Sequence, residues 1–371
     1  MKILVTGGMG FLGSHLIDAL VKEGHDVSSF DNLEYQVHEG KKPDYLNKHC
    51  RYILGDVRNR AQLKNAITGN DILFHQAAMV GVGQSMYRIT KYVQVNSYGT
   101  ANLLDILVNE KHKIRKLVVA SSMSIYGEGA YKCKHCGVVY PRLRPDTQLE
   151  KRDWEIHCPE CGETVKHIPT PEEKPLFPTS VYAFSKKDQE DLCLLVGKTY
   201  NIPTVALRYF NIYGPRQALS NPYTGVCAIM SSRIKNNNPP LIYEDGLQSR
   251  DFIHVKDIVR ANIFAMKNRK TDYQAFNVGT GKMTTILEIA NILIKLYKAQ
   301  GLKPEIVNSY RKGDIRHCYA DVSRLSALGF RAKITLEQGM RDLIEWARGV
   351  EAKDRVRLAD AQLRKRGLRV G

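Results

Sequence analysis

Tyr182 and Lys186 stand four residues apart in the run Tyr182-Ala183-Phe184-Ser185-Lys186. On a helix that spacing puts both side chains on one face. An ammonium beside a phenol favours the phenolate and lowers the phenol pKa. A tyrosine brought toward neutrality in this way can serve as a general base. The pair alone is weak evidence, because a packed aromatic beside a surface lysine has the same spacing. Ser122 strengthens it. It belongs to Ser121-Ser122-Met123-Ser124-Ile125-Tyr126-Gly127, which closes the apolar run Leu117–Ala120. Ligands bind beyond the carboxyl ends of strands in open parallel sheets, so Ser122 can hydrogen-bond a reacting hydroxyl. Ser124 is a further candidate contact, and Ser121 reads as a turn-forming serine.

Two cysteine pairs carry a second chemistry. Cys133-Lys134-His135-Cys136-Gly137 and Cys158-Pro159-Glu160-Cys161-Gly162 are separated by 21 residues, 137 to 157. Paired Cys-x2-Cys knuckles of this kind hold a structural zinc ion through four thiolates. The ligands expected are Cys133, Cys136, Cys158 and Cys161, with His135 and His157 as neighbours. Cys50, Cys193, Cys227 and Cys318 are isolated and read as small buried hydrophobes.

A third motif, Thr6-Gly7-Gly8-Met9-Gly10-Phe11-Leu12-Gly13, follows one apolar run and opens another. Glycines at Gly7, Gly10 and Gly13 let the backbone turn tightly and approach a pyrophosphate at a helix N-terminus. Phe11 and Leu12 belong to the same cofactor turn. The second strand ends at Asp31-Asn32. An acidic residue there accepts bonds from ribose hydroxyls and repels a 2′-phosphate, which favours NAD over NADP. Asp56 and Val57, after the third strand, are placed to meet the adenine.

These residues need a framework, and the pattern supplies one. Strands are expected at Ile3–Val5, Asp26–Phe30, Arg51–Leu54, Asp71–Phe74, Leu117–Ala120 and Thr204–Leu207, with a helix at Phe11–Lys22. Strand-helix alternation predicts a doubly wound parallel sheet, a Rossmann fold of the α/β class. The expected division is a dinucleotide-binding domain over 1–129 and 169–211, a zinc-ribbon insertion over 130–168 and a mainly substrate-binding α/β lobe over 212–345. Helices are expected in that lobe at Ile286–Tyr297 and Leu336–Ala347. A basic tail over 346–371 reads as a charged, solvated helix. The chain has 55 Lys and Arg against 38 Asp and Glu, a formal charge of +17. That surplus suits an anionic ligand, although Arg and Lys are dense in the tail. No apolar run is long enough to span a membrane. The amino-terminal apolar run is too short for a signal peptide, so a cytoplasmic location is expected.

Together the motifs resemble the extended short-chain dehydrogenases, in their nucleotide-sugar epimerase and dehydratase branch. Besides the glycine turn, Ser122, Tyr182 and Lys186, the matching residues are His75-Gln76-Ala77-Ala78 and Asn96 with Gly99-Thr100. Leu207-Arg208-Tyr209-Phe210-Asn211-Ile212-Tyr213-Gly214-Pro215 and Ser249-Arg250-Asp251-Phe252-Ile253-His254-Val255 also match. The resemblance implies NAD contacts from Gln76, Ala77, Ala78, Asn96, Tyr182 and Lys186. It implies that Asn211 contacts the sugar nucleotide, that Arg250 and Arg311 meet the pyrophosphate, that Asp314 binds the nucleotide ribose, and that Leu241 and Tyr243 flank the base. Ribbon-bearing sequences of this kind are dTDP-L-rhamnose 4-epimerase-like.

One departure narrows the reaction. Dehydratases of the branch carry an Asp-Glu pair just after the Ser122 position, and here Met123 and Ser124 stand there. Neither does acid-base work at neutral pH. The expectation is therefore NAD-dependent 4-epimerisation of a nucleotide-diphosphate sugar, of the dTDP-L-rhamnose or UDP-hexose type, by a homodimer. A 4-keto nucleotide-sugar reductase or dehydrogenase consuming NAD(H) is the rival enzyme. A catalytically idle relative that binds nucleic acid through its ribbon is the rival of another class, against which Ser122, Tyr182 and Lys186 argue.

Overall fold

Alternation along the first strand sets the layers. In Lys2–Thr6 (β1), Ile3 and Val5 face one side and Leu4 the other. Ile3 and Val5 pack with Leu16, Ile17 and Leu20 of the Phe11–Lys22 helix and with Ile258 and Ala261 of the Val255–Lys267 helix. Leu4 packs with Leu63, Leu103 and Leu107 on the opposite side. Each fully buried Leu or Ile contributes about 1.5–3 kcal/mol, so helices on both faces hold the sheet.

The computed structural model describes residues 1–371. After β1 come Asp26–Asp31 (β2), Arg51–Leu54 (β3), Ile72–His75 (β4), Lys116–Ser122 (β5), Thr204–Tyr209 (β6) and Gln274–Val278 (β7). They form one parallel sheet in the order β7-β6-β5-β4-β1-β2-β3. The order reverses between β1 and β4, and a crevice opens beyond the carboxyl ends of the strands at that point. No helix is long and apolar enough to cross a membrane.

Two stretches differ from expectation. β7 and the Val255–Lys267 helix come from the segment expected to form the substrate lobe, yet they complete the main sheet and its core. The remainder of that segment does build a separate core. There the helices Val226–Lys235, Ile286–Leu296 and Leu336–Arg348 bring together Met230, Leu293, Met340 and Leu343. Thr285 with Glu288 and Thr335 with Gln338 form capping boxes that start the last two helices. The tail is not a solvated helix. Its helix Val356–Arg364 buries Ala359 and Leu363, and Arg369–Val370 pairs antiparallel with Tyr310–Arg311.

The cysteine-rich insert is a three-stranded antiparallel sheet, Ala130–Cys133, Gly137–Val139 and Lys166–Ile168, around Tyr131, Val139, Ile156 and Val165. A buried ion network seats it against the lobe. The Arg144 guanidinium donates to both carboxylate oxygens of Glu244 at 2.9 Å. Arg316 donates to Glu155, to Glu244 at 3.1 Å and to Asp245 at 2.7 Å. Removing one member of such a network strands the others. Arg316→Met is expected to lower unfolding stability by ~3 kcal/mol, toward the low end for a buried pair because Glu155 and Asp245 are partly exposed. Urea unfolding checks this, and a midpoint equal to wild type would refute it.

Candidate active site

A cavity of about 450 Å³ lies beyond the carboxyl ends of β1, β2, β4 and β5. Gly7, Gly10, Phe11, Leu12 and Gly13 line one end. Gly7 has φ +70°, and a Cβ there would sit 2.9 Å from the Ala77 backbone. A Cβ at Gly13 would lie 2.2 Å from the Gly7 carbonyl oxygen. Only glycine allows this turn. The helix that follows has no side-chain cap at Gly10 and no acidic residue in its first turn, so its amino end is free for an anion.

Asp31, Asn32, Val57, Gln76, Ala77 and Ala78 line the same region. Backbone N–H groups of Met9 and Leu33 donate to the two oxygens of Asp31, each at 2.9 Å, and fix the carboxylate at the end of β2. Asp56 does not line the cavity. Arg58 binds its carboxylate and holds its pKa down at about 2, and Asn32 donates to it at 3.0 Å. Asp56 thus holds the side chain of Asn32, a residue of the cavity wall. Asn96 lies behind the wall. Its amide accepts from the Met79 N–H at 2.8 Å and donates to the Met79 carbonyl at 3.1 Å and to Ser185 Oγ at 2.9 Å. It pins the loop after β4 to the helix Val181–Thr199 and makes no wall of its own.

At the other end the cavity is lined by Ser122, Ser124, Tyr182, Lys186 and Asn211. Ser180 caps the helix carrying Tyr182 and Lys186 by accepting from the Ala183 N–H at 3.1 Å. Ser124 donates its hydroxyl to Ser122 Oγ at 2.9 Å. Tyr182 packs edge-on against Tyr92, with ring centres 6.4 Å apart. The Asn211 side-chain oxygen is buried and accepts from nothing within the chain, so it is an open acceptor for a ligand hydroxyl.

The electrostatics differ from expectation. Lys186 does not dominate Tyr182. Burial raises the Tyr182 pKa, and the Ser122 hydroxyl is what draws it back down. Burial also lowers Lys186, to about 7. The Lys186 ammonium donates to the Ala120 carbonyl and to the Gln189 side-chain oxygen. Gln189 in turn donates to Thr100 Oγ1 at 3.0 Å, which sits 3.1 Å from His75 Nε2, and His75 Nδ1 lies 2.9 Å from Thr6 Oγ1. The sequence reading missed Gln189. Its place three residues after Lys186, on the same helical face, was the signal available.

The remaining expected contacts gather outside this cavity. Arg311 pairs with Asp314 at 2.7 Å and lies over the Tyr243 ring at 4.7 Å. Arg250 turns onto backbone carbonyls, donating to Ser249 at 2.8 Å, Ile315 at 2.7 Å and Arg316 at 2.9 Å. Leu241 heads a short strand paired with Glu305–Ile306. The structure brings Tyr243, Arg311 and Asp314 together, with Leu241 in the short strand that runs directly into Tyr243.

In the insert, the Sγ atoms of Cys133, Cys136, Cys158 and Cys161 all lie within 4.8 Å of one another. Backbone N–H groups of Cys136 and His135 pull the Cys133 thiol down to about 6. His157 is engaged by Asp153 at 2.7 Å. No residue of the insert lines the cavity.

The sequence profile of the NAD dependent epimerase/dehydratase family matches residues 3–145 and 159–279. A dTDP-L-rhamnose 4-epimerase of Burkholderia thailandensis is 32% identical over 350 residues, covering 93% of this chain and 94% of that one. The crystal structure of a UDP-glucose 4-epimerase from Thermotoga maritima with UDP-glucose superposes with a TM-score of 0.75 at 28% identity, covering 94% of this chain and 99% of that one. A Thermus thermophilus UDP-glucose 4-epimerase in complex with NAD also gives 0.75 at 28% identity, covering 95% of this chain and all (100%) of that one.

Proposed function

The chain belongs to the NAD dependent epimerase/dehydratase family, and from that premise we propose that it is an NAD-dependent nucleotide-sugar 4-epimerase. The observation that carries the reading is the cavity itself. It joins a glycine cradle and Asp31 to Ser122, Tyr182 and Lys186, and offers Met123 and Ser124 where elimination would need a carboxyl pair. The only acidic side chains lining it, Asp31 and Glu34, belong to its cofactor end.

Gly7, Gly10, Gly13, Asp31, Gln76 and Lys186 would hold NAD, which when bound supplies the hydride acceptor and donor for the sugar C4. The chain's own residues move the proton. Tyr182 takes the proton of the C4 hydroxyl and returns it once the stereocentre is inverted. Ser122, held by Ser124, aims that hydroxyl at Tyr182. Asn211 steadies the sugar from the opposite wall. Arg250, Arg311, Asp314 and Tyr243 take the diphosphate and nucleoside, which lets the sugar turn about its diphosphate linkage while the nucleotide stays fixed. A dTDP-L-rhamnose or UDP-hexose substrate fits these groups. Incubating the protein with a panel of dTDP- and UDP-sugars and NAD, with products read by NMR, tests the reading. C4 inversion without net NADH is expected. Stoichiometric NADH formation, or stoichiometric NADH consumption when a 4-keto nucleotide sugar and NADH are supplied, would establish the dehydrogenase or reductase instead.

Asp31 sets the cofactor. Its fixed carboxylate meets ribose hydroxyls favourably and a 2′-phosphate unfavourably. NAD is expected to bind at least tenfold more tightly than NADP by calorimetry, and the reverse order would refute the assignment.

Zinc fits the insert, because four thiols, none of them in a disulfide, converge there within tetrahedral reach of one ion. Free thiols and a nucleotide-sugar substrate fit the reducing cytoplasm. A homodimer fits Phe184 and Leu195 together with Ile89, Val93 and Tyr98, large apolar side chains exposed on two neighbouring helical segments.

A further inference from the structure

The tail meets the nucleotide side of the molecule. Gln362 accepts from the hydroxyls of Tyr87 at 2.9 Å and of Tyr223 at 2.8 Å, and Tyr223 lines the cavity. Val370 packs on Leu149, Trp154 and Tyr310, so the insert helps anchor the tail. The Lys312 N–H donates to the Leu368 carbonyl at 2.9 Å. In this short ladder Arg369 stands directly opposite Arg311.

Two like charges opposed across an antiparallel pair repel. Arg311 has its counter-ion in Asp314 at 2.7 Å. Arg369 is less well served. Its side chain is 8% exposed, and its nearest carboxylate oxygen, on Asp360, is 3.4 Å from Nε. That oxygen already accepts the Tyr243 hydroxyl at 2.6 Å. Arg369 Nε and Nη1 are buried and donate to nothing within the chain. Buried charged donors left unmet are strongly unfavourable, and a guanidinium fork is suited to phosphate oxygens.

We infer that Arg369 is a binding residue for the nucleoside diphosphate of the substrate, its under-satisfied guanidinium donating to diphosphate oxygens beside Arg311 and Tyr243. The inference rests on the nucleotide-sugar reading and extends its binding site to the tail. It explains why the chain places a second arginine against Arg311: the anion that joins them is the ligand. Asp360 then has two tasks, holding Tyr243 by its hydroxyl and keeping Arg369 aligned.

The test is calorimetric titration of UDP and dTDP into wild type, Arg369→Gln and Arg369→Lys, with NAD titrated as a control. Glutamine removes the charge-assisted hydrogen bonds of the guanidinium, which is expected to weaken nucleoside diphosphate binding about ten- to a hundredfold. Lysine should fall between, and NAD affinity should not change. Equal binding by wild type and Arg369→Gln would overturn this inference alone. Failure of wild type to bind either nucleotide would overturn the nucleotide-sugar reading and this inference with it. Hydrogen exchange of the wild-type protein gives a second readout that needs no variant. Added protection of residues 368–370 with UDP or dTDP is expected, and its absence would count against Arg369.

Discussion

Replacing Tyr182 with phenylalanine is expected to lower kcat by about a thousandfold while NAD still binds with wild-type affinity. The ring stays, so its edge-on packing against Tyr92 stays. Only the hydroxyl proposed to exchange a proton with the C4 hydroxyl is removed, and general base catalysis contributes about 10²–10⁴-fold. The pH dependence follows from the same group. Burial lifts the Tyr182 pKa above its ordinary value. A base with a raised pKa is mostly protonated at neutral pH, so kcat/KM should climb as pH increases from neutrality toward that pKa. Tyr182→Phe should remove this climb as well as the rate. Substantial activity in the variant, or an unchanged alkaline rise in what remains, would take Tyr182 out of the role.

The central strands of the sheet were legible because they are buried on both sides and so read as apolar runs. Leu117–Ala120 and Thr204–Leu207 lie within β5 and β6. β7 was not, because its apolar residues, Ala275, Phe276 and Val278, are broken by Asn277. Asn277 is fully buried and is satisfied by Tyr126, Thr170 and Asp321. A polar residue with three distant partners cannot be distinguished from a loop residue by pattern. The cofactor turn was legible because Gly7 and Gly13 answer local steric demands. The electrostatics of the Tyr182–Lys186 pair were not. Helical spacing brings the two together, but the depth of burial decides which influence prevails, and depth comes from the whole fold. The tail failed for a related reason. Its arginines read as a solvated face, whereas the aliphatic side of the Val356–Arg364 helix and Val370 find apolar surfaces contributed by distant segments, including the insert.

Those long-range ties also decide what the cysteine-rich insert, with its proposed zinc, should do. One zinc per chain is expected from elemental analysis, and a Cys133→Ser, Cys136→Ser variant should carry none. Without the metal nothing ties the two cysteine knuckles together, so the insert should lose order, as small zinc folds do when stripped. The main sheet has its own two-sided core and should stay folded. The insert contributes nothing to the cavity wall, so NAD affinity should hold. It does seat the segment that leads through Arg311 and Asp314 to Arg316, through Glu155 on Arg316 and His317, and it supports Val370 through Leu149 and Trp154. Disorder there loosens the nucleotide side of the site, and KM for the nucleotide sugar should rise about tenfold or more, since one charge-assisted hydrogen bond alone is worth that much. The discriminating measurement is KM against NAD affinity in the metal-free variant. A parallel loss of both would mean that the ribbon supports the whole fold. Unchanged KM in a folded, zinc-free protein would detach the ribbon from substrate binding altogether.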